Sequence, residues 1–382
     1  MSTPRENLLK VFRHETPDWI PVTGHVDPYN QPSREGMDPA LAKALGTVQW
    51  GDGSTRIFSQ YLGLDVMDFF GPPVTVQRRH VTVEHIDRPD GWATIYKTPH
   101  GELREVHARV REDGTSYCQE HLVKSGDDLP LLASILEDEE HVLNDGAAES
   151  VRRRKALVGD QGLIRCYMPG TPLGMMVRVY SGVETIAYLW ADHRDELHRL
   201  FEVMEENHLR QFRLYASLGY DVLYGTDDTS TTTISPAMFE EFCLGYTDHV
   251  ADAVHEYGTF YAHHSCGLIR DLLDLYRQTR MDAVDALCLE PIGDLPSIAE
   301  AKVRLGPAIT IIAALVQMGG GSPGSASMND RAAVAESIAQ MFRDAAPGDD
   351  IIFGLAAFPH INMEQTAFVA QECRKHQRRY AR

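Results

Sequence analysis

Residues 220–291 read YDVLYGTDDTSTTTISPAMFEEFCLGYTDHVADAVHEYGTFYAHHSCGLIRDLLDLYRQTRMDAVDALCLEP. Three short apolar runs, YDVLYG (220–225), TFYAHHS (259–265) and DAVDAL (282–287), are separated by stretches with helical periodicity from Pro236 to Tyr257 and from Leu268 to Arg280. Strands that alternate with helices of this length are parallel strands joined by crossover helices. The same rhythm extends outward in both directions. Toward the N-terminus lie the helical stretches LPLLASILEDEEHVLN (129–144) and AAESVRRRKALVG (147–159), the strand GLIRCYMP (162–169), and two or more helices between Glu184 and Gly219. Toward the C-terminus come the helix PSIAEAKVRLG, the strand AITIIAAL, a helix near Arg331 to Ala345, the strand DIIFGLAA and a closing helix.

The first 130 residues have a different texture. PRENLLKVFR (4–13) carries Leu8, Leu9, Val11 and Phe12 in a charged helix, and the Pro17-Asp18 turn leads into Trp19, Ile20 and Val22 as a first strand. Residues 74–123 alternate β-branched and aromatic side chains. They are broken at Pro89-Asp90-Gly91, Pro99-His100-Gly101 and Glu112-Asp113-Gly114, which predicts an antiparallel meander of about four strands inserted early in the chain. The expected fold is a single α/β domain over residues 1–382: a (β/α)8 TIM barrel with an N-terminal antiparallel β extension.

A formal net charge of -19, from 55 acidic and 36 basic side chains, repels phosphate backbones and anionic lipid, so neither nucleic acid nor membrane is an expected partner. The opening MSTPRENLLK lacks the apolar stretch of a secretory signal, and no run approaches the roughly 18 apolar residues that span a bilayer. A cytoplasmic location is expected. The six cysteines form no CxxC pair, and in a reducing compartment they are thiols or metal ligands rather than a disulfide framework.

In barrels and open α/β sheets alike, function sits beyond the carboxyl ends of the strands. That filter selects Thr226, Asp227 and Asp228; His264 to Gly267; Cys288 and Glu290; Gln317; and Phe358 to His360. The strongest local signal is His263-His264-Ser265-Cys266-Gly267. Side chains two apart on a strand share a face, so His264 and Cys266 can converge on one ion while His263 faces the other way. Imidazole and thiolate are the pair expected for zinc. A further ligand is needed, and Cys288, Glu290, His360, Asp227 and Asp228 all fall on the same expected face. Asp227 and Asp228 are also the candidate catalytic acid/base pair. The loop after the first strand, with His25, Asp27, Tyr29 and Asn30, concentrates hydrogen-bonding groups where a barrel presents them to substrate. GxGxxG after a strand, Walker-type GKS or GKT, GxSxG and HExxH are all missing, which removes the usual support for dinucleotide, P-loop, α/β-hydrolase and zincin readings.

Five segments carry a resemblance to a known family: PRENLLKVFRHETPDWIPV (4–22), YLGLDV (61–66), DDTSTTTISPAMFEEF (227–242), YAHHSCGLIRDLLDLYRQTRMDAVDAL (261–287) and DIIFGLAAFPHINMEQTAF (350–368). The chain resembles the uroporphyrinogen decarboxylase superfamily, and more narrowly its cobalamin-dependent methyltransferase branch. The resemblance implies a (β/α)8 barrel, a Zn2+ bound by a His-x-Cys pair plus a later Cys, and methyl transfer between a small-molecule donor or acceptor and a corrinoid (cobalamin) on a corrinoid-binding protein. It leaves a homodimer open. His264 and Cys266 fall on the pair. Where the later Cys is expected, near residues 355 to 360, this chain reads Leu355-Ala-Ala-Phe-Pro-His360. Fewer thiolates make a harder Lewis acid, which favours a methyl ether as substrate and hence O-demethylation. The decarboxylase branch resembles this chain less: its Arg-rich N-terminal segment is represented here by HVDPYNQPSREGM, with Arg34 alone. A metal-free decarboxylase or lyase using Asp227 or Asp228, and a non-catalytic metabolite-binding protein, are the competing readings.

Overall fold

The computed structural model describes residues 2–25, 38–45, 54–109, 116–315, 330–356 and 363–380. In chain order the strands are β1 (Val22–His25), β2 (Val66–Phe69), β3 (Val74–Gln77), β4 (Thr82–Arg88), β5 (Gly91–Thr98), β6 (Gly101–Arg109), β7 (Ser116–Glu120), β8 (Glu140–Leu143), β9 (Gly162–Pro169), β10 (Val222–Thr226), β11 (Phe260–His264), β12 (Ala283–Leu287), β13 (Thr310–Ala314) and β14 (Ile351–Ala356). Eight of them form one parallel sheet in the order β1-β14-β13-β12-β11-β10-β9-β2. Its two ends meet where Thr23 bridges Asp65 in parallel and the Asp65 amide donates to the Val22 carbonyl. The Asp65 carboxylate also accepts the Val22 amide and the Trp19 indole N–H, so one buried side chain ties the closing strands together. The expected TIM barrel is therefore the fold, with helices between its strands and antiparallel sheet added.

One end of the barrel is stoppered by the helix Pro4–Phe12. Thr3 caps it in a reciprocal capping box with Glu6, and Pro4 supplies a preset φ in its first turn. Its buried face of Leu8, Val11 and Phe12 packs on inward-facing residues that include Met67, Leu163, Val222, Ala262, Ala283 and Ile352. Phe12 stacks on Phe260, with ring centroids 4.9 Å apart. Arg5 pins the helix by a two-point contact with the Asp221 carboxylate at 2.5 and 2.9 Å. The opposite end, at the carboxyl termini of the strands, carries a cavity.

The extension differs in detail from the sequence reading. The four-stranded antiparallel sheet runs β4-β5-β6-β7, while β3 leaves it to pair antiparallel with β8. Residues 140–143 were expected to continue a helix, but that helix stops at Glu137. Asp138 ends it by accepting the backbone amides of Arg79, His80 and Val81, which brings the β3 side of the chain alongside. The expected helix from Leu268 to Arg280 is likewise reduced to two short turns, Arg270–Leu272 and Leu273–Tyr276. Its first amides, on Ile269 and Arg270, donate to Asp294. Among the described residues no helix is long and apolar enough to cross a membrane.

Candidate active site

A cavity of about 870 Å³ opens beyond the carboxyl ends of the barrel strands, and His25, Arg165, Tyr167, Arg178, His264, Asp285 and Cys288 are among its lining residues, as is Cys266. Strand alternation works as expected at β11. His263 points away from the cavity and is wholly buried, with Nε2 3.1 Å from Thr229 Oγ1 in a network that also holds Ser265 and Tyr276. His264 and Cys266 point into the cavity.

The His264 ring is fixed by Asp285, whose carboxylate lies 2.6 Å from Nδ1. Burial opposes a charge on this imidazole. The hydrogen bond with Asp285 and then that with the Cys266 side chain outweigh it and lift His264 from 6.5 to about 10. For Asp285, burial pushes upward and the His264 contact pulls harder downward, leaving the carboxylate below its ordinary range.

Asp285 and Cys288 reach the same cavity because β12 is bulged. The register against β13 shifts between Asp285 and Leu287, and Ala286 sits at φ 63°, a left-handed conformation that costs a side-chain-bearing residue on the order of 1–3 kcal/mol. Regular pleating would put Asp285 and Leu287 on one face. The bulge instead buries Leu287 completely in the wall and leaves Cys288 on the cavity side. Burial, then the neighbouring Cys266 and Asp285, push the Cys288 thiol up to about 12.

The two adjacent aspartates have separate surroundings. Asp227 is buried, and its carboxylate accepts the Thr171 amide at 2.6 Å and the Asp228 amide at 2.8 Å. It packs so closely on the helix Pro172–Met175 that a Cβ built on Gly174 would overlap it. Asp228 is half-buried, 3.9 Å from Cys266 Sγ, and burial followed by the charge of Asp227 raises its pKa. Glu290 is exposed, and neither it nor Asp227 or Asp228 is part of the cavity lining, although Asp228 borders it at Cys266. His25 ends β1 on the cavity wall, with Nδ1 2.9 Å from Arg165 Nη2 and Nε2 3.4 Å from the Tyr167 hydroxyl. Asp27, Tyr29, Asn30, Gln317 and Phe358 to His360 lie outside the described residues.

Sequence reasoning passed over Arg165, Tyr167, Arg178 and Asp285. Arg165 carried a signal in plain view, a charged residue in the middle of the apolar strand GLIRCYMP. Its guanidinium lies over the Phe69 ring at 3.8 Å and the Tyr224 ring at 4.7 Å, and Phe69 stacks on Tyr167 at 3.9 Å. Arg178 belongs to a single π-helical turn, Met176–Tyr180, a distortion frequent at functional sites.

Among the described residues no three His, Cys, Asp or Glu side chains are gathered to hold a metal ion. Within that limit the donor set still fits a metal in kind: an imidazole oriented by a carboxylate, a thiol hydrogen-bonded to its other nitrogen, and a second thiol, Cys288, on the same wall.

A parallel eight-stranded barrel with a cavity at the carboxyl ends of its strands defines a (β/α)8 protein with its site in the place where barrel enzymes carry theirs. More narrowly, the family model described as Uroporphyrinogen decarboxylase (URO-D) matches residues 111–376, and the chain belongs to that family. Among solved structures it is similar to a methyltransferase from Methanosarcina mazei, with 15% identity and a TM-score of 0.61 over 98% of this chain and 99% of that one. It is similar to a lesser degree to a B12-independent methionine synthase from Shewanella sp. W3-18-1, with 10% identity and a TM-score of 0.47 over 93% and 96% of the two chains. At such identities the likeness is one of fold. Comparison with curated proteins finds no match.

Proposed function

We propose that this protein is a zinc-dependent methyltransferase, moving a methyl group between a small molecule, favoured as a methyl ether, and a corrinoid carried by a partner protein in the cytosol. The observation that carries the reading is the set His264, Asp285 and Cys266. With Nδ1 held 2.6 Å from Asp285, the other ring nitrogen is directed to the Cys266 side, where a metal would take the place of its proton. His264 and Cys266 would hold the metal, with Cys288 as third donor and His360 as the other residue of suitable chemistry. The resemblance in fold to a methyltransferase, in a family with a shared barrel, agrees with this assignment.

Bound zinc would supply Lewis acidity toward an ether oxygen or a thiol. The chain's own residues account for the rest. Asp228, raised above an ordinary carboxylate and 3.9 Å from Cys266 at the edge of the cavity, would hold a proton for the oxygen from which the methyl group departs. Tyr167, stacked on Phe69, offers a flat surface for the body of the substrate. Met168, Met175, Ile292 and Ile312 give the cavity an apolar lining that limits water near the reacting group.

Elemental analysis tests the proposal. About one zinc per purified chain is expected, lost in a folded H264A/C266A double variant together with methyl transfer to a corrinoid protein. A metal-free parent protein, or turnover that persists through chelation, would instead favour a lyase relying on Asp228 alone.

A further inference from the structure

β11 ends at His264, so the parallel ladder that fixes the imidazole stops short of Cys266, two residues further on. The place of the thiol is set by another part of the chain. Thr229, Ser230 and Thr231, which follow the two aspartates, fasten residues 265–268 on both sides of Cys266. Thr229 Oγ1 meets Ser265 Oγ at 2.9 Å. Ser230 Oγ accepts the Leu268 amide at 3.0 Å, and the Leu268 carbonyl accepts the Thr231 amide at 2.7 Å and the Thr231 hydroxyl at 3.0 Å. Gly267 lies between at φ 86°, and a Cβ there would sit 2.8 Å from Ser230 Oγ, so the turn after the thiol closes only over a glycine. The same loop holds Asp228 from both sides: its amide donates to Asp227, and its carbonyl accepts the Thr233 hydroxyl at 3.2 Å.

The inner end of this contact is closely satisfied. Thr229, Ser265 and Tyr276 are fully buried, and their hydroxyl oxygens form a triangle with sides of 2.9, 3.1 and 2.7 Å. Three hydroxyls bring three protons to three contacts, so each can donate once and accept once around the ring. Thr229 keeps one lone pair, which His263 Nε2, 3.1 Å away, meets as an N–H donor. With the proton on that nitrogen, the buried Nδ1, without a partner among the described residues, is a bare acceptor rather than an orphaned donor.

We infer that Thr229 and Ser230 are positioning residues, which hold the Cys266 thiol toward His264 and beside Asp228 before any metal arrives. Neither lines the cavity, so both act through Cys266. A ligand segment ordered in advance loses less conformational entropy when it binds. The inference rests on the zinc reading only in calling His264 and Cys266 metal donors.

Two measurements on the full-length protein test it: zinc affinity by competition titration, and the rate at which iodoacetamide alkylates Cys266 in chelated protein, read by peptide mass. T229V keeps the side-chain shape without the hydroxyl, and T229S restores the hydroxyl. T229V should bind zinc about tenfold more weakly. Its Cys266 should alkylate severalfold faster, and T229S should return both readouts toward the parent values. F12A loosens the far end of the barrel without touching this loop, and should leave the alkylation rate of the folded protein unchanged, which separates positioning from general destabilisation. Should T229V not fold, S230A, which frees the Leu268 amide, carries the same two expectations. An alkylation rate at the parent value in the folded variant, or T229S behaving as T229V does, overturns the inference. A parent protein that binds no zinc would sink the zinc reading alone, because alkylation of metal-free protein still decides whether the loop positions Cys266.

Discussion

Replacing Asp227 by Ala should unfold the protein far more readily than it damages any chemistry. The Asp227 side chain is 2% exposed and supplies the acceptor for the Thr171 and Asp228 amides. Truncation leaves both donors buried without a partner, at about 1–3 kcal/mol each, so the expected loss is on the order of 4 kcal/mol. A natural domain has only about 5–15 kcal/mol to lose. With a urea dependence of about 3 kcal/mol per molar, the midpoint should fall by roughly 1 M. G174A should act in the same direction, since its methyl group would displace the same carboxylate from below. D228N is the control: that side chain is half-buried and loosely held, so stability should change by less than about 0.5 kcal/mol while methyl transfer falls. Equilibrium urea denaturation of the four proteins decides the matter. A D227A midpoint within about 0.2 M of the parent would refute the assignment of Asp227 to the scaffold.

Three further outcomes are expected. C266S keeps the shape of the side chain but replaces a thiol by a hydroxyl that ionises far less readily, so zinc affinity should drop at least tenfold, about 1.4 kcal/mol, in a metal competition titration; unchanged affinity would remove Cys266 from the site. Burial lifts the Asp65 carboxyl to about 6, against the opposing bonds from Trp19 and Val22, so the folded protein binds this proton more tightly than the unfolded chain. Stability from this group is therefore greatest below about pH 4 and declines as pH rises through 6, by roughly 3 kcal/mol in all; Asp68, also lifted to about 6, adds a similar slope. D65N should remove about half of the decline in denaturation curves recorded from pH 4 to 7, and an unaltered slope would show that Asp65 does not titrate in this window. F12A empties the stopper of the barrel where Phe12 meets Phe260 and should cost about 3–5 kcal/mol in urea denaturation, whereas a loss below 1 kcal/mol would mean the stopper contributes little.

The order of strands and helices was legible in the sequence because it depends on local periodicity. GLIRCYMP coincides with β9, and the helix from Arg331 to Ala345 stands where the pattern placed it. The pairing of His264 and Cys266 on one side of β11, with His263 on the other, follows from the period of two and needs nothing beyond the strand itself. Barrel closure was an expectation that composition could not supply, since an open sheet has the same alternation; the bridge from Thr23 to Asp65 decided it. Everything that depends on contacts between distant segments was equally out of reach. Residues 140–143 look helical in isolation and become β8 because Asp138 caps three amides some 60 residues earlier. Asp227 and Asp228 look interchangeable as a dipeptide, and they part company because Thr171 and Gly174 approach only one of them. Asp285 and Cys288 share the cavity only through a bulge at Ala286, a residue with no turn chemistry of its own to announce it. Sequence period fixes which side chains share a face of one element; which element that face then meets, and where the pleat slips, is set by packing across the whole barrel.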